Sequence, residues 1–273
     1  APLSEPLVWD APFGSGRPGW HIECSAMSFT ELGERIDIHC GGLDLIFPHH
    51  ENEIAQSEAA NGCQYAHYWM HAGAVRVNDE KMSKSLGNFF TIREVLSRYH
   101  PEVVRYLLLS SHYRSAINYS EESLKEARAA LERFYGCLKQ FADVPVLSLA
   151  EAFASEPGQA FCAAMDDDFN TRVALSVLFD LVRQINSAPD AHLAAVLKTL
   201  ASILGVLQAA PEAFLQAGSS TLDVATIEAL IEERAAAKLA KNFARCDEIR
   251  IELKAMGVVL EDSRQGTTWR AES

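Results

Sequence analysis

From Ser120 onward the apolar residues recur at helical spacing. Leu124, Ala127, Leu131, Phe134, Leu138 and Phe141 step by three and four, which predicts an amphipathic helix with Ser120 as its N-cap. Val173, Val177, Leu178, Leu181, Val182 and Ile185 predict a second behind Asn170. Leu193, Val196, Leu197, Leu200, Ile203, Leu204 and Leu207 predict a third behind Asp190. Short connections between such stripes predict an antiparallel helical bundle. The stretch 142–158, with its two prolines, reads as a linker or irregular crossing. Beyond the GSSTLD turn at 218–223, residues 225–241 and 243–257 predict two more helices, the second capped by Asn242 and stopped by Gly257. VVLED and TTWR, on either side of a turn, then predict a small β-hairpin.

The chain before position 119 has a different rhythm. RIDIHC at 35–40 and AGAVRV at 72–77 read as strands, and PHHENEIAQSEAA at 48–60 reads as a helix opened by Pro48 and closed by Gly62. Strand, glycine-rich turn, helix, strand is the α/β pattern. The expected fold is therefore an α/β part over 1–118, a helical bundle over 119–218 and a small α+β unit over 219–273.

Composition narrows the function. With 273 residues, 48% of them apolar, the chain has enough material for more than one buried core. No apolar run approaches the ~18–20 residues of a membrane span, so no membrane partner is expected. Six scattered cysteines without a paired rhythm fit a reducing, cytoplasmic setting. The net charge of −13 argues against coating nucleic acid by bulk attraction. The acid is unevenly placed, because the last ~51 residues carry eight basic against ten acidic side chains and so sit near neutrality.

Three strings carry chemistry. Lys81-Met82-Ser83-Lys84-Ser85 sets two lysines on a short polar loop, where ammonium groups can meet a polyphosphate; a solvated basic loop is the plain alternative. Cys24, with His49 and Glu53 four residues apart on one predicted helix face, offers sulfur, nitrogen and oxygen to one ion. The plain alternative there is a solvated helix face and a core cysteine. Finally, His39-Cys40-Gly41-Gly42-Leu43-Asp44 runs a strand end into glycines and a carboxylate, the place where open α/β sheets receive nucleotides.

Together RPGWHIECSAM, DIHCGGLDLIFPHHENEIAQSEA, YWMHAG, EKMSKSLGNFFT, HYRSAINYSEESL, MDDDFNT and GVVLEDSRQGTTWR resemble the cysteinyl-tRNA synthetases, a class I aminoacyl-tRNA synthetase family, along essentially the whole chain. The resemblance implies the second half of a class I Rossmann-like catalytic domain, followed by the bundle and an anticodon-binding unit. It implies activation of L-cysteine by ATP with Mg2+ to cysteinyl-adenylate, then transfer to tRNA(Cys), by a monomer. Cys24, His49 and Glu53 match zinc ligands, Trp20 and His39 flank the cysteine pocket, and Gly42 and Asp44 match the nucleotide element. Lys81 and Lys84 match the catalytic signature loop. Lys238, Phe243, Asp247, Asp262 and Trp269 fall on the anticodon-reading surface, where an exposed tryptophan can stack on a base; the plain alternative is that Phe243 and Trp269 pack the small unit. The family's HIGH-type signature and its fourth zinc ligand, an early cysteine, have no counterpart in these residues. The chain is therefore expected to be the C-terminal part of a synthetase and inactive alone. Two other classes fit parts of the pattern. One is a non-catalytic tRNA-binding module; the other is a cysteine ligase of low-molecular-weight thiol synthesis, whose relatives lack the last unit.

Overall fold

The computed structural model describes residues 9–78, 80–81, 91–216, 224–263 and 266–271. The chain divides into two compact units, the first made of residues 1–75 and 113–117 and the second of the remainder.

In the first unit, α1 (Trp20–Leu32) leads into β1 (Ile36–Gly42), then α2 (Glu51–Asn61) and β2 (Ala66–Ala72). β1 and β2 are parallel, with Ile36 opposite Ala66 and Gly41 opposite His71, and α2 makes the crossover. The predicted helix at 48–60 is shorter than expected. A single π turn, Ile46–His50, precedes α2, so Pro48 stands before the helix rather than in its first turn. Gly62 closes α2 in the left-handed conformation, donating its N–H to Glu58, as read from the sequence. Ile36, Tyr65 and Ala66 form a small core to which Ile54 and Trp69 add. The strand expected at 72–77 is broken at Gly73. A Cβ there would lie 2.1 Å from the Ser115 carbonyl oxygen, so only glycine lets the two backbones approach.

In the second unit, β3 (Val75–Val77) and β4 (Glu80–Lys81) pair antiparallel, Arg76 facing Lys81. α3 (Ile92–Arg98) opens on a capping box: Thr91 Oγ1 accepts from the Glu94 N–H, and the Glu94 carboxylate accepts from the Thr91 N–H. α4 (Pro101–Leu109) and β5 (Ile117–Tyr119) lead to α5 (Glu121–Leu138), where Ser120 caps as expected. The supposed linker at 142–158 is a misreading. It contains α6 (Leu149–Ala154) and the start of α7 (Glu156–Asp166), each opened by a serine cap, Ser148 and Ser155. Pro157 sits in the first turn of α7, where no helical N–H is lost. Gly158 lets the two helices abut; a Cβ there would meet the Ala152 carbonyl oxygen at 1.9 Å.

α8 (Thr171–Ser187) and α9 (Ala191–Ile203) begin at Asn170 and Asp190, the caps predicted for them. α8 packs on both α5 and α9, and the stripes bury Leu178, Leu181 and Ile185 of α8, Val196, Leu197 and Leu200 of α9, and Leu124, Leu131 and Phe134 of α5. One buried polar knot ties the bundle. The Glu102 carboxylate accepts from Tyr135 Oη (2.8 Å) and from the backbone N–H groups of Leu207 (2.8 Å) and Gln208 (3.0 Å). Tyr135 Oη in turn accepts from the Ala209 N–H. That turn enters α10 (Pro211–Gln216), whose Phe214 stacks on Tyr135 at 4.1 Å between ring centres.

The last segment is α11 (Val224–Leu239), α12 (Phe243–Ala255), β6 (Val258–Ser263) and β7 (Gly266–Ala271). The predicted hairpin forms, with Leu260 opposite Trp269, and Gly257 turns the chain out of α12 at φ 75°. The GSSTLD turn lies outside the described residues. No helix among the described residues is long and apolar enough to cross a membrane.

Candidate functional site

Three segments of the first unit converge on one carboxylate. α1 presents Cys24, the turn before α2 presents His49 and His50, and α2 presents Glu53 one turn later. β1 adds His39. Glu53 is fully buried, and its Oε2 lies 3.0 Å from His39 Nε2, 3.5 Å from His49 Nε2 and 3.9 Å from His50 Nε2. Its Oε1 takes a hydrogen bond from Tyr65 Oη at 3.5 Å, and that hydroxyl also meets Ser28.

The donor atoms fall into two sets: Cys24, His49 and Glu53, and His39, His50 and Glu53. Within each, all atoms lie within 4.8 Å of one another. So the structure brings together the three residues read from spacing, and adds a second set that spacing did not reveal. Each of the adjacent histidines is held from outside by another. His49 Nδ1 is 2.6 Å from His21 Nδ1, and His50 Nδ1 is 2.9 Å from His71 Nε2. A histidine whose outer nitrogen is engaged keeps its inner lone pair aimed.

Electrostatics favours the uncharged forms of the Cys24 thiol and of two of the imidazoles, His50 and His71. Burial, then the Glu53 charge, pushes the Cys24 thiol up; burial and the neighbouring imidazole His39 push His50 down. Burial and Arg114 do the same to His71.

Trp20 and His39, expected beside a substrate pocket, do flank this cluster. Trp20 stacks on His49 at 4.4 Å, and His39 stands against Glu53 and tilts over Trp69. Gly41 has a packing reason to lack a side chain, since a Cβ would come within 2.6 Å of the His50 ring. Gly42 likewise leaves room for the Asp44 carboxylate, which lies over it on the exposed turn that follows. Lys81 ends β4, but its side chain, like Lys84, is outside the described residues.

In the last segment the structure decides between the two readings of Trp269, a stacking face and a packed core. Trp269 is only 4% exposed, packed among Ile227, Ile249, Leu253 and Val258, and its indole N–H donates to Glu228 at 3.0 Å. It is the core of this small segment and offers no face to a base. Phe243, by contrast, is 63% exposed at the start of α12. Asp247 and Lys238 are exposed as well, and both act electrostatically on a bidentate pair that the sequence did not reveal: Arg234 to both oxygens of Asp262, each at 2.8 Å. The signal available was the i, i+4 spacing of Arg234 and Lys238 on one helix.

The Arg234 guanidinium, with the Thr267 hydroxyl, holds the Asp262 carboxyl far below the usual carboxylate range. A carboxyl depressed in the folded state adds stability at pH above its unfolded value, near 4. That stability is lost as pH falls from there toward the folded value. Carbon-13 titration of the aspartates is therefore expected to show Asp262 still ionised when its neighbours have protonated. In Arg234→Met it is expected to rejoin them, and an unchanged titration in that variant would refute the pairing.

The matches with known proteins follow this architecture. Residues 3–129 match the tRNA synthetases class I (C) catalytic domain, 160–208 the DALR domain, and 224–270 the cysteinyl-tRNA ligase anticodon binding domain. A leucyl-tRNA synthetase from Agrobacterium radiobacter K84, solved in a ternary complex, superposes with a TM-score of 0.50 at 19% identity, over 62% of this chain and 25% of its own. Fold and matched models thus define a class I aminoacyl-tRNA synthetase chain. The curated cysteine–tRNA ligases of Ectopseudomonas mendocina, Azotobacter vinelandii and Stutzerimonas stutzeri are 64%, 63% and 62% identical over 96% of this chain. The chain belongs to the cysteinyl-tRNA synthetase family, and it spans 57% of the length of those relatives.

Proposed function

We propose that the chain supplies the cysteine-recognising and tRNA-reading parts of a cysteine–tRNA ligase, which joins L-cysteine to tRNA(Cys) through an ATP-derived adenylate. The observation that carries this reading is the set of half-buried Cys24 with buried His49 and Glu53, on whose His49 Trp20 stacks. Sulfur, imidazole and carboxylate within 4.8 Å of one another fit Zn2+, whose ligand bonds run at ~2.0–2.3 Å, and the uncharged thiol would give up its proton on binding. Zinc, when bound, supplies a soft Lewis acid for the substrate thiolate.

The chain's own residues do the remainder. Glu53, held from Tyr65, sets the charge at the base of the site; Trp20, stacked on His49 and 58% exposed, offers its ring to the substrate; His39 approaches Glu53 from β1. A serine hydroxyl is a poor partner for such a centre, so selection against serine comes from binding chemistry alone. Gly42 and Asp44 form the nucleotide-facing turn, and Lys81 and Lys84 bring positive charge to the polyphosphate of ATP–Mg2+. The substrate carboxylate is itself the nucleophile, so positioning and charge suffice.

Lys238, Phe243, Asp247 and Asp262, with Arg234, form the anticodon-reading surface in this reading. The three-part division at 1–118, 119–218 and 219–273 belongs to the same proposal, as do a monomeric state and a cytoplasmic setting. The match to an anticodon-binding model over 224–270 favours a tRNA ligase over a ligase of small thiols. That match does not separate the ligase from a tRNA module without catalysis; the ligand set of Cys24, His49 and Glu53 favours the ligase.

X-ray absorption at the zinc edge tests the reading. The zinc-loaded chain is expected to show one sulfur neighbour, rising to two on adding L-cysteine and staying at one with L-serine. No change with cysteine, or an equal response to serine, overturns it.

A further inference from the structure

We infer that Lys139 is a positioning residue for tRNA binding: it clasps the hairpin of β6 and β7 to the helical bundle and so fixes where Asp262, a carboxylate of the proposed anticodon-reading surface, stands. This rests on the reading of residues 224–270 as an anticodon-binding unit.

Lys139 opens the 3-10 turn that ends α5, and its ammonium leaves the bundle to meet the hairpin. Nζ donates to Thr268 Oγ1 on β7 at 2.7 Å and pairs with Glu261 Oε2 on β6 at 3.4 Å. Glu261 and Thr268 stand directly opposite one another in the hairpin register. One cation therefore holds both strands at a single cross-strand pair, from a position 122 residues before the glutamate.

The next register pair is Asp262 opposite Thr267. Side chains alternate along a strand, so this pair points to the other face of the hairpin. There the Asp262 carboxylate accepts from both terminal nitrogens of Arg234 and from the Thr267 hydroxyl. The clasp from the bundle and the carboxylate offered to RNA are thus one residue apart on each strand. Any slip of the hairpin along the bundle carries Asp262 with it.

The hairpin does not need Lys139 in order to fold. Val258 and Trp269 pack with Ile227, Ile249 and Leu253 of α11 and α12, and the Trp269 indole is bonded to Glu228. The seam with the bundle is looser. α10 lies against β7, and a cleft of about 160 Å3 opens there, lined by Lys139, Glu212, Leu215, Glu228, Thr268 and Trp269. A segment with its own core, meeting its neighbour across an open seam, is placed by the directed bonds that cross the seam.

An RNA that touches the last segment alone is indifferent to that placement. An RNA that touches it and another part of the chain is a two-point ligand, and its second contact depends on the geometry between the two points.

Binding of two RNAs to the full chain tests this: a stem-loop carrying the tRNA(Cys) anticodon, and the whole tRNA(Cys) transcript. Lys139→Met is expected to bind the stem-loop as the parent does and the whole tRNA about 10-fold more weakly, with an unchanged salt dependence. Lys139→Arg keeps a charged donor and is expected to restore the parent's affinity. Thr268→Val is expected to mimic Lys139→Met, and the two substitutions together to cost no more than either alone. Equal weakening for both RNAs assigns Lys139 to the local fold of the segment and overturns the inference, as does parent-like binding of the whole tRNA by Lys139→Met. A salt slope lower by about one also overturns it, because the lysine then meets a phosphate itself. A parent that shows no preference for its stem-loop over one with a changed anticodon defeats the anticodon reading, and the role of Lys139 with it. A parent that keeps the preference beside an unimpaired Lys139→Met defeats the role of Lys139 alone.

Discussion

Replacing Glu102 by alanine is expected to destabilise the helical unit by about 3–5 kcal/mol, the scale of breaking a buried charged hydrogen-bond network. Its carboxylate accepts from Tyr135 Oη and from the Leu207 and Gln208 N–H groups, donors held on two other parts of the unit. Alanine leaves all three without an acceptor in a site from which solvent is nearly excluded, and each unpaired buried donor costs about 1–3 kcal/mol. Some relaxation toward water brings the total below the sum of three full penalties. Glu102→Gln is the sharper control, because it preserves volume but turns an amide N–H toward a donor. It should lose about half as much. Tyr135→Phe removes one donor and leaves the two backbone bonds, so it should be the mildest of the three. Calorimetric unfolding of the intact chain measures this ranking, and equal transitions for parent and Glu102→Ala would show that the knot contributes nothing.

Glu102 also marks where sequence reading stops. A glutamate after His100-Pro101 reads as a first-turn helix residue favoured by the dipole, and so it is. Nothing local announces that residues more than a hundred positions later will bond to it. The stripes of α5, α8 and α9, by contrast, and their caps Ser120, Asn170 and Asp190, were legible because period and cap are local properties. The failure at 142–158 had a local remedy: Ser148 and Glu151 spell a capping box, outweighed in the reading by two prolines. α1 was hidden for another reason, since its apolar residues lie on several faces and leave no single stripe. β2 showed no clean alternation to find, its burial mixing along both faces.

The candidate site divides in the same way. His49 and Glu53 share a helix face at a spacing any reader can count, but His50, His21 and His71 gained meaning only from contacts between segments. The i, i+4 rule picked one triad and passed over its neighbour at i, i+3. Trp269 left two readings open. An aromatic near the end of a polar hairpin can be a stacking platform or core, and a segment this small needs a large buried ring to have a core at all. Phe243, beside a helix start and with a polar face around it, was the aromatic left over for solvent.

Glu53→Gln is expected to weaken zinc binding by at least about 100-fold, beyond the usual loss for an outer-shell change. The carboxylate is the common member of both triads, and its Oε2 faces three imidazole nitrogens at 3.0, 3.5 and 3.9 Å. An amide brings no negative charge to offset a dication in a dry site, and one of its two heads is a donor. The fold should tolerate the change, because a neutral amide avoids the desolvation cost of a buried carboxylate and Tyr65 can still donate to its oxygen. The expected signature is therefore a split. Without zinc, parent and variant should unfold at similar temperatures; with zinc in excess, the parent should gain much more stability than the variant. A site filled at a thousand times its dissociation constant adds about 4 kcal/mol, and a hundredfold weaker one about 1.4. Zinc-dependent shifts in calorimetric unfolding read the difference directly. Equal shifts in parent and variant would mean that the ion sits elsewhere, and would remove the carboxylate from the proposed site.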